Sequence, residues 1–205
     1  MPFRMADLLH TRYSLLSRLQ DWDDQESWKE FFDRYWRLIY SFALKSGLTD
    51  DEAQEVVQET IISVAHDLDK FKRERSLGSF KGWLLNLTRW RVADQLRKRA
   101  RQARDNAAAQ AADAASPATT DWESIWEQEW QANLLVGALN NVKHRVREEH
   151  YQMFDLYVIK QWPVQKVAKT LGVSAARVYL AKHRISALIK KEVQKLEANP
   201  DFPSS

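Results

Sequence analysis

The sequence predicts an all-α chain of two helical domains joined by a flexible linker, the C-terminal one a helix-turn-helix. Three observations carry that prediction. Only five Gly and five Pro interrupt 205 residues, few breakers for a fold of many short strands. Apolar side chains recur at three- and four-residue intervals, the spacing of one face of an amphipathic helix. Residues 102–120 contain no large apolar side chain, so they bury nothing that would offset the entropy of ordering them. The predicted organisation is a first domain over residues 1–101, a linker over 102–120, a second domain over 121–196 and a tail over 197–205.

The elements follow in chain order. Phe31, Phe32, Tyr35, Trp36, Leu38, Ile39, Phe42 and Ala43 mark one apolar face of a helix over Trp28 to Leu44, ending near Gly47. Thr49 with Glu52 three residues later forms a capping-box pattern, and Ala53, Val56, Val57, Ile61 and Val64 supply the next buried stripe. Asp69 to Ser79 breaks the period with charges, Ser and Gly, and reads as a loop. Phe80 to Arg101 resumes it through Trp83, Leu84, Leu87, Val92 and Leu96 as a long basic helix. Alanines keep part of the linker helical until Ser116-Pro117 ends it. Beyond lie an acidic aromatic helix around Trp122 to Trp130, runs from Leu134 to Val146 and from His150 to Lys160, and two short helices.

The net charge of +3 conceals segregation. Acidic stretches at Asp21 to Glu30, Asp50 to Glu59 and Asp121 to Glu129 alternate with basic ones at Arg89 to Arg104 and Lys160 to Lys195. With no Cys, disulfides and thiolate metal sites are excluded. The N-terminus lacks the apolar run of a signal peptide or membrane span, so a cytoplasmic protein without membrane insertion is expected. His10, His66, His144, His150 and His183 form no i, i+4 metal pair, and no phosphate loop or nucleophile elbow is present. Nothing argues for an enzyme, a metal or a cofactor.

The most specific local motif is VQKVAKTLGVSAARVYLAKHRI, from Val164 to Ile185. Ala168 provides the small residue that crossing helices need, and Gly172 suits a turn with positive φ. Val173 plugs the core and Ser174 caps the following helix. With Val178 inward, about 100° per residue brings Ala181 and Ile185 to the core and turns Ala176, Arg177, Leu180, His183 and Arg184 outward. On that outer face Arg177 and Arg184 suit guanine edges or phosphates, Ser174 and Lys182 backbone oxygens, and Ala176 and Leu180 a thymine methyl. The bland reading is a helical hairpin with a solvated charged face.

The N-terminal half narrows the purpose. DDEAQEVVQETIISV, ending at Val64, resembles the region 2.2 signature of sigma-70 factors. FKGWLLNLTRWRVADQLRKR, from Phe80 to Arg99, looks like regions 2.3 and 2.4. Val178-Tyr179 and Ala181-Lys182 with Arg184 look like region 4 of the extracytoplasmic-function (ECF) group. The resemblance spans about residues 20 to 195, and no stretch resembles region 3.

That resemblance implies a bacterial sigma factor that binds core RNA polymerase, directs it to promoters and helps open the DNA. It implies that Gln54, Glu55, Gln58 and Glu59 dock on the coiled coil of the largest polymerase subunit, with the flap region a further contact. It assigns the Phe71 to Phe80 loop and the next helix to the −10 element: Lys72, Arg73, Arg75 and Ser76, then Lys81, Asn86, Arg89, Trp90, Arg91, Arg97 and Lys98. Basic groups for phosphate with polar or aromatic groups for a base suit capture of an unstacked strand. To the −35 duplex it assigns Ser174, Ala176, Arg177, Tyr179, Leu180, Lys182, His183 and Arg184. An anti-sigma factor is a partner the family admits, for which no residue here argues. Glu55 stands where the family usually has Asp, Trp90 where Asn is common, and Lys182 where many relatives are apolar. Without the resemblance, a stand-alone helix-turn-helix regulator with an N-terminal dimerisation module also fits, as does a helical adaptor.

Trp122, Trp126 and Trp130 share one helix face among Glu123, Glu127 and Glu129. They are expected to pack on the C-terminal unit as core, since large aromatics dominate core energetics; the sharper reading has the acidic segment lying over a basic DNA-binding face when polymerase is absent.

Overall fold

The computed structural model describes residues 15–19, 21, 23–73, 79–107 and 121–198. Every regular element among them is helical, so the all-α expectation holds. The chain divides into two compact units, one ending at Asn133 and the other beginning at Leu134.

In the first unit a short turn of helix, α1 (Leu15–Arg18), precedes α2 (Gln25–Lys45). Asp24 starts α2 by accepting from the Ser27 amide at 3.0 Å and from its hydroxyl at 2.5 Å, filling orphan donors of the first turn. Phe31, Tyr35, Leu38, Ile39, Phe42 and Ala43 are buried, whereas Phe32 is 42% exposed and Trp36 half-buried. The eight-residue apolar face read from the sequence is wider than the surface its neighbours cover. Gly47, at φ 91°, ends the helix.

The capping box forms as expected at the start of α3 (Asp50–Arg73). The Thr49 amide donates to Glu52 Oε2 at 2.8 Å, and the Glu52 amide to Thr49 Oγ1 at 3.4 Å. Ala53, Val56, Val57, Thr60, Val64 and Leu68 are buried, with Ile61 half-buried. The helix continues through Asp69 to Arg73, which the sequence reading assigned to a loop. Phe71 holds that last turn: its ring stacks on Trp83 at 4.6 Å and meets Phe80 edge-on at 6.0 Å.

Helix α4 (Phe80–Ala107) begins where Ser79 Oγ accepts from the Gly82 amide at 3.1 Å. It buries Phe80, Trp83, Leu84, Thr88, Val92 and Gln95, and it runs six residues past Arg101 into the stretch read as linker. The alanines there favour helix. Ser116-Pro117 lies outside the described residues.

Helix α5 (Trp122–Lys143) is continuous where the sequence suggested two runs, and it supplies residues to both units. Its indole stripe corrects the expectation of C-terminal packing. Trp126 meets Phe42 edge-on at 5.2 Å and Trp130 stacks on Tyr35 at 6.3 Å, each only 1% exposed. Phe42 and Tyr35 leave an aromatic surface on the first unit that the indoles complete.

The second unit packs Leu134, Ala138 and Val142 of α5 with α6 (Glu148–Phe154), α7 (Val164–Leu171) and α8 (Ala175–Glu197). A π-helical turn, Asp155–Ile159, extends α6, and left-handed Gln161, φ 54°, ends it. Glu192, 4% exposed, is held by Asn141 and Arg145, both at 2.9 Å. The last helix has 23 residues rather than being short. No helix among the described residues is long and apolar enough to cross a membrane.

Candidate nucleic-acid interfaces

The geometry of α4 sorts its predicted DNA-binding residues into two groups. At about 100° per residue, Asn86, Trp90 and Arg97 fall within about 40° of one another on one face. All three are exposed, Trp90 to 61%. Arg101 and Arg104 fall on the same stripe and are exposed too. Neither was among the expected DNA-binding residues: Arg101 closed the expected helix and Arg104 fell in the expected linker, whereas the successive spacings of four, seven, four and three residues from Asn86 put both on the stripe. The stripe spans about 27 Å at 1.5 Å per residue.

The remaining cations of α4 face other helices. Arg91 bonds Glu59 Oε2 at 2.8 Å and Ser63 Oγ at 2.7 and 3.2 Å, while its guanidinium lies 5.4 Å from the Trp90 ring centre. Lys98 is shared between Asp94 of its own helix at 3.5 Å and Glu59 at 3.9 Å, while Arg97, of the exposed stripe, reaches the same Asp94 at 3.4 Å. Lys81 is buried and pairs with Glu127 at 2.5 Å, holding that carboxyl below its usual range. Arg89 lies 3.7 Å from Glu123 and 5.4 Å from the Trp122 ring centre. Lys72 and Arg73 end the backbone of α3, but their side chains, like Arg75 and Ser76, lie outside the described residues.

The residues read as polymerase-binding sit on α3, whose first turn carries Asp50, Asp51 and Glu52 where the helix dipole favours negative charge. Gln54 and Gln58 stand exposed. Glu55 accepts from Gln95 Nε2 at 2.7 Å, and Glu59 is taken by Arg91. Two of the four thus also tie α3 to α4. Beside them runs a groove of about 840 Å³ between α2 and α3, floored by Phe32, Trp36, Tyr40 and Ile62 and rimmed by Asp51 and Gln54. Ile62 is 49% exposed. Phe32 and Trp36 of this groove were expected on the apolar face of the helix, because one helical period fits two adjacent faces.

In the second unit, Gly172 closes α7 in the left-handed conformation at φ 65°. Ser174 then caps α8, its hydroxyl accepting from the Arg177 amide at 3.3 Å. Val178, Ala181 and Ile185 are buried. Ala176, Arg177, Tyr179, Leu180, Lys182, His183 and Arg184 all face outward. The stem of Lys182 lies along the surface with its ammonium 5.4 Å from the Tyr157 ring centre, and Tyr179 meets that ring edge-on at 5.6 Å. Arg177 and Arg184 share the rim of a pocket of about 320 Å³ with Arg145, Arg147 and His150, over Leu180 and Leu188. These last three basic residues were not singled out in the sequence, since only the tertiary fold brings the start of α6 beside α8.

Residues 31–102 match the family model of sigma-70 region 2, which covers most of α2, all of α3 and most of α4. No curated protein matches the chain.

Proposed function

From a chain that carries a sigma-70 region 2 domain over residues 31–102, we propose a bacterial sigma factor of the ECF type. It binds core RNA polymerase, directs it to specific promoters and promotes opening of the DNA, without chemistry of its own. The observation that carries the proposal is the coincidence of that domain with the exposed stripe Asn86, Trp90, Arg97 and Arg101, which Arg104 continues just beyond it.

Each part has a physical rationale. Arg97, Arg101 and Arg104 neutralise phosphates of the melted −10 strand, Trp90 offers a ring for an unstacked base, and Asn86 offers donor and acceptor to a base edge. The groove beside Gln54 and Gln58 suits a polymerase surface that is apolar at its centre and basic at its rim, since exposed Phe32 and Ile62 share it with Asp51 and Glu55. The second unit, beginning at Leu134, is proposed to read −35 duplex as a helix-turn-helix, with Ala176, Arg177, Leu180, His183 and Arg184 of α8 toward the major groove and Ser174, Tyr179 and Lys182 at its edges. Arg145 and Arg147 extend the basic rim toward phosphate. In the cell this is a cytoplasmic protein.

The test mixes the full chain with core polymerase and a promoter library. Stable association in moderate salt and run-off transcripts from a subset of templates are the expected result. Specific duplex binding as a dimer without polymerase, together with no transcript from any template, would overturn the proposal in favour of a stand-alone regulator.

A further inference from the structure

Part of the basic surface of α4 already has an occupant. The first turns of α5 set Glu123, Glu127 and Glu129 among Trp122, Trp126 and Trp130. Glu127 takes the ammonium of Lys81 at 2.5 Å, and the same Nζ lies 5.6 Å from the centre of the Trp130 ring. Glu123 faces Arg89 at 3.7 Å, and the Arg89 guanidinium lies 5.4 Å from the Trp122 ring. Glu129 pairs with Lys45 at the end of α2. With this helix in place the Lys81 side chain keeps only 11% of its exposure.

An acidic segment interleaved with flat rings offers a cation what single-stranded DNA offers: negative charge and a π surface. Lys81 and Arg89 each receive both from α5. We propose that the first turns of α5 are an intramolecular inhibitor of −10 strand binding, occupying Lys81 and Arg89 in the free chain until polymerase and promoter together displace them. The proposal rests on the sigma reading above. Two features suit a displaceable contact. Nε1 of Trp122 and of Trp126 is buried without a hydrogen-bond partner, a cost to the closed arrangement that opening removes. The Glu123 side chain is 80% exposed, so its hold on Arg89 is open to competition from phosphate. Trp126 and Trp130, each 1% exposed, keep the segment seated when nothing competes.

The experiment measures the affinity of the full chain for a fluorescently labelled single-stranded DNA at fixed salt. The variant Glu123→Gln/Glu127→Gln/Glu129→Gln, checked for an unchanged melting temperature, is expected to bind about fivefold to tenfold more tightly. The gain is expected to vanish when Lys81→Ala and Arg89→Ala are added. Unchanged affinity in the folded triple variant overturns the proposal, as does a gain that survives loss of both cations, since general charge relief then accounts for it.

A second measurement avoids the acids' own contribution to folding. The chain has no Cys, so Lys45→Cys and Glu129→Cys can be joined by a short bismaleimide. The tethered chain is expected to bind core polymerase yet fail to open a promoter that the untethered variant opens; opening at equal rates overturns the proposal. If the untethered natural chain starts no transcript with core polymerase, the sigma reading falls and this inference with it, a result distinct from all the others.

Discussion

At the scale of single residues, the exposure of Trp90 is what supports its proposed role as a stacking surface. The ring is 61% exposed and carries the Arg91 guanidinium 5.4 Å from its centre. A base stacked on an aromatic contributes about 1–3 kcal/mol. Trp90→Ala is therefore expected to slow promoter opening by about tenfold to a hundredfold with no change in melting temperature, and Trp90→Phe to keep most of the activity. A fall in melting temperature with normal opening would assign the ring to packing. Glu52 stands at the opposite pole. Arg99 Nε donates to it at 2.9 Å, and that guanidinium, ahead of the Thr49 bonds, holds its carboxyl at about 2 against an ordinary 4.5. A carboxyl depressed on folding adds stability that is complete above pH 4.5 and fades as pH falls toward 2. Glu52→Gln is expected to flatten the acid limb in that window. At neutral pH it is expected to lose about 1–2 kcal/mol of cap and ion-pair stability, read from urea midpoints across the pH range.

At the scale of elements, helix length decides how far the proposed DNA face extends. Had α4 stopped at Arg101, Arg104 would have no place on the stripe; running to Ala107 aligns it with Asn86. Each phosphate contact on a single strand contributes about 0.7 to the slope of log affinity against log salt. Arg101→Ala/Arg104→Ala is thus expected to lower that slope by about 1.4 for the polymerase-bound chain, measured by fluorescence titration at several salt concentrations. An unchanged slope would confine the face to Asn86, Trp90 and Arg97. Much at this scale was legible in the sequence. The Thr49–Glu52 capping box and the inward set Val178, Ala181 and Ile185 depend on local spacing alone, and they appear where spacing put them. The groove on α2 was not legible, because Phe32 and Trp36 lie on an apolar arc broader than the neighbouring helices cover.

At the scale of the whole molecule, a net charge of +3 says little, because acids and bases are arranged by which helix meets which. The acids of α3 take Arg91 and Arg99, and those of α5 take Lys81 and Arg89. Basic residues that look equivalent along one helix are thereby split into those paired with acids of other helices and those, Arg97, Arg101 and Arg104, that stand exposed. The indole stripe shows the same dependence. Replacing a buried Trp by Ala costs about 3–5 kcal/mol through lost transfer energy and the cavity left behind. Trp126→Ala is expected to cost the first unit that much in urea denaturation while leaving the second unit's transition where it was. Loss confined to the second unit would restore the packing read from the sequence.

What the sequence determined by itself was set by neighbours along the chain. That covers the helical class, the capping box, the left-handed turn at Gly172 and the cap at Ser174, together with the region 2 motifs. Helix periodicity and capping act over one or two turns, so they are written in consecutive residues. Only the tertiary structure decided which cations remain available, which unit Trp126 and Trp130 complete, and which aromatics line a groove rather than a core. A charge or a ring is committed by whatever approaches it across space. Glu127 lies 46 residues from the lysine it binds, a separation no local spacing can register.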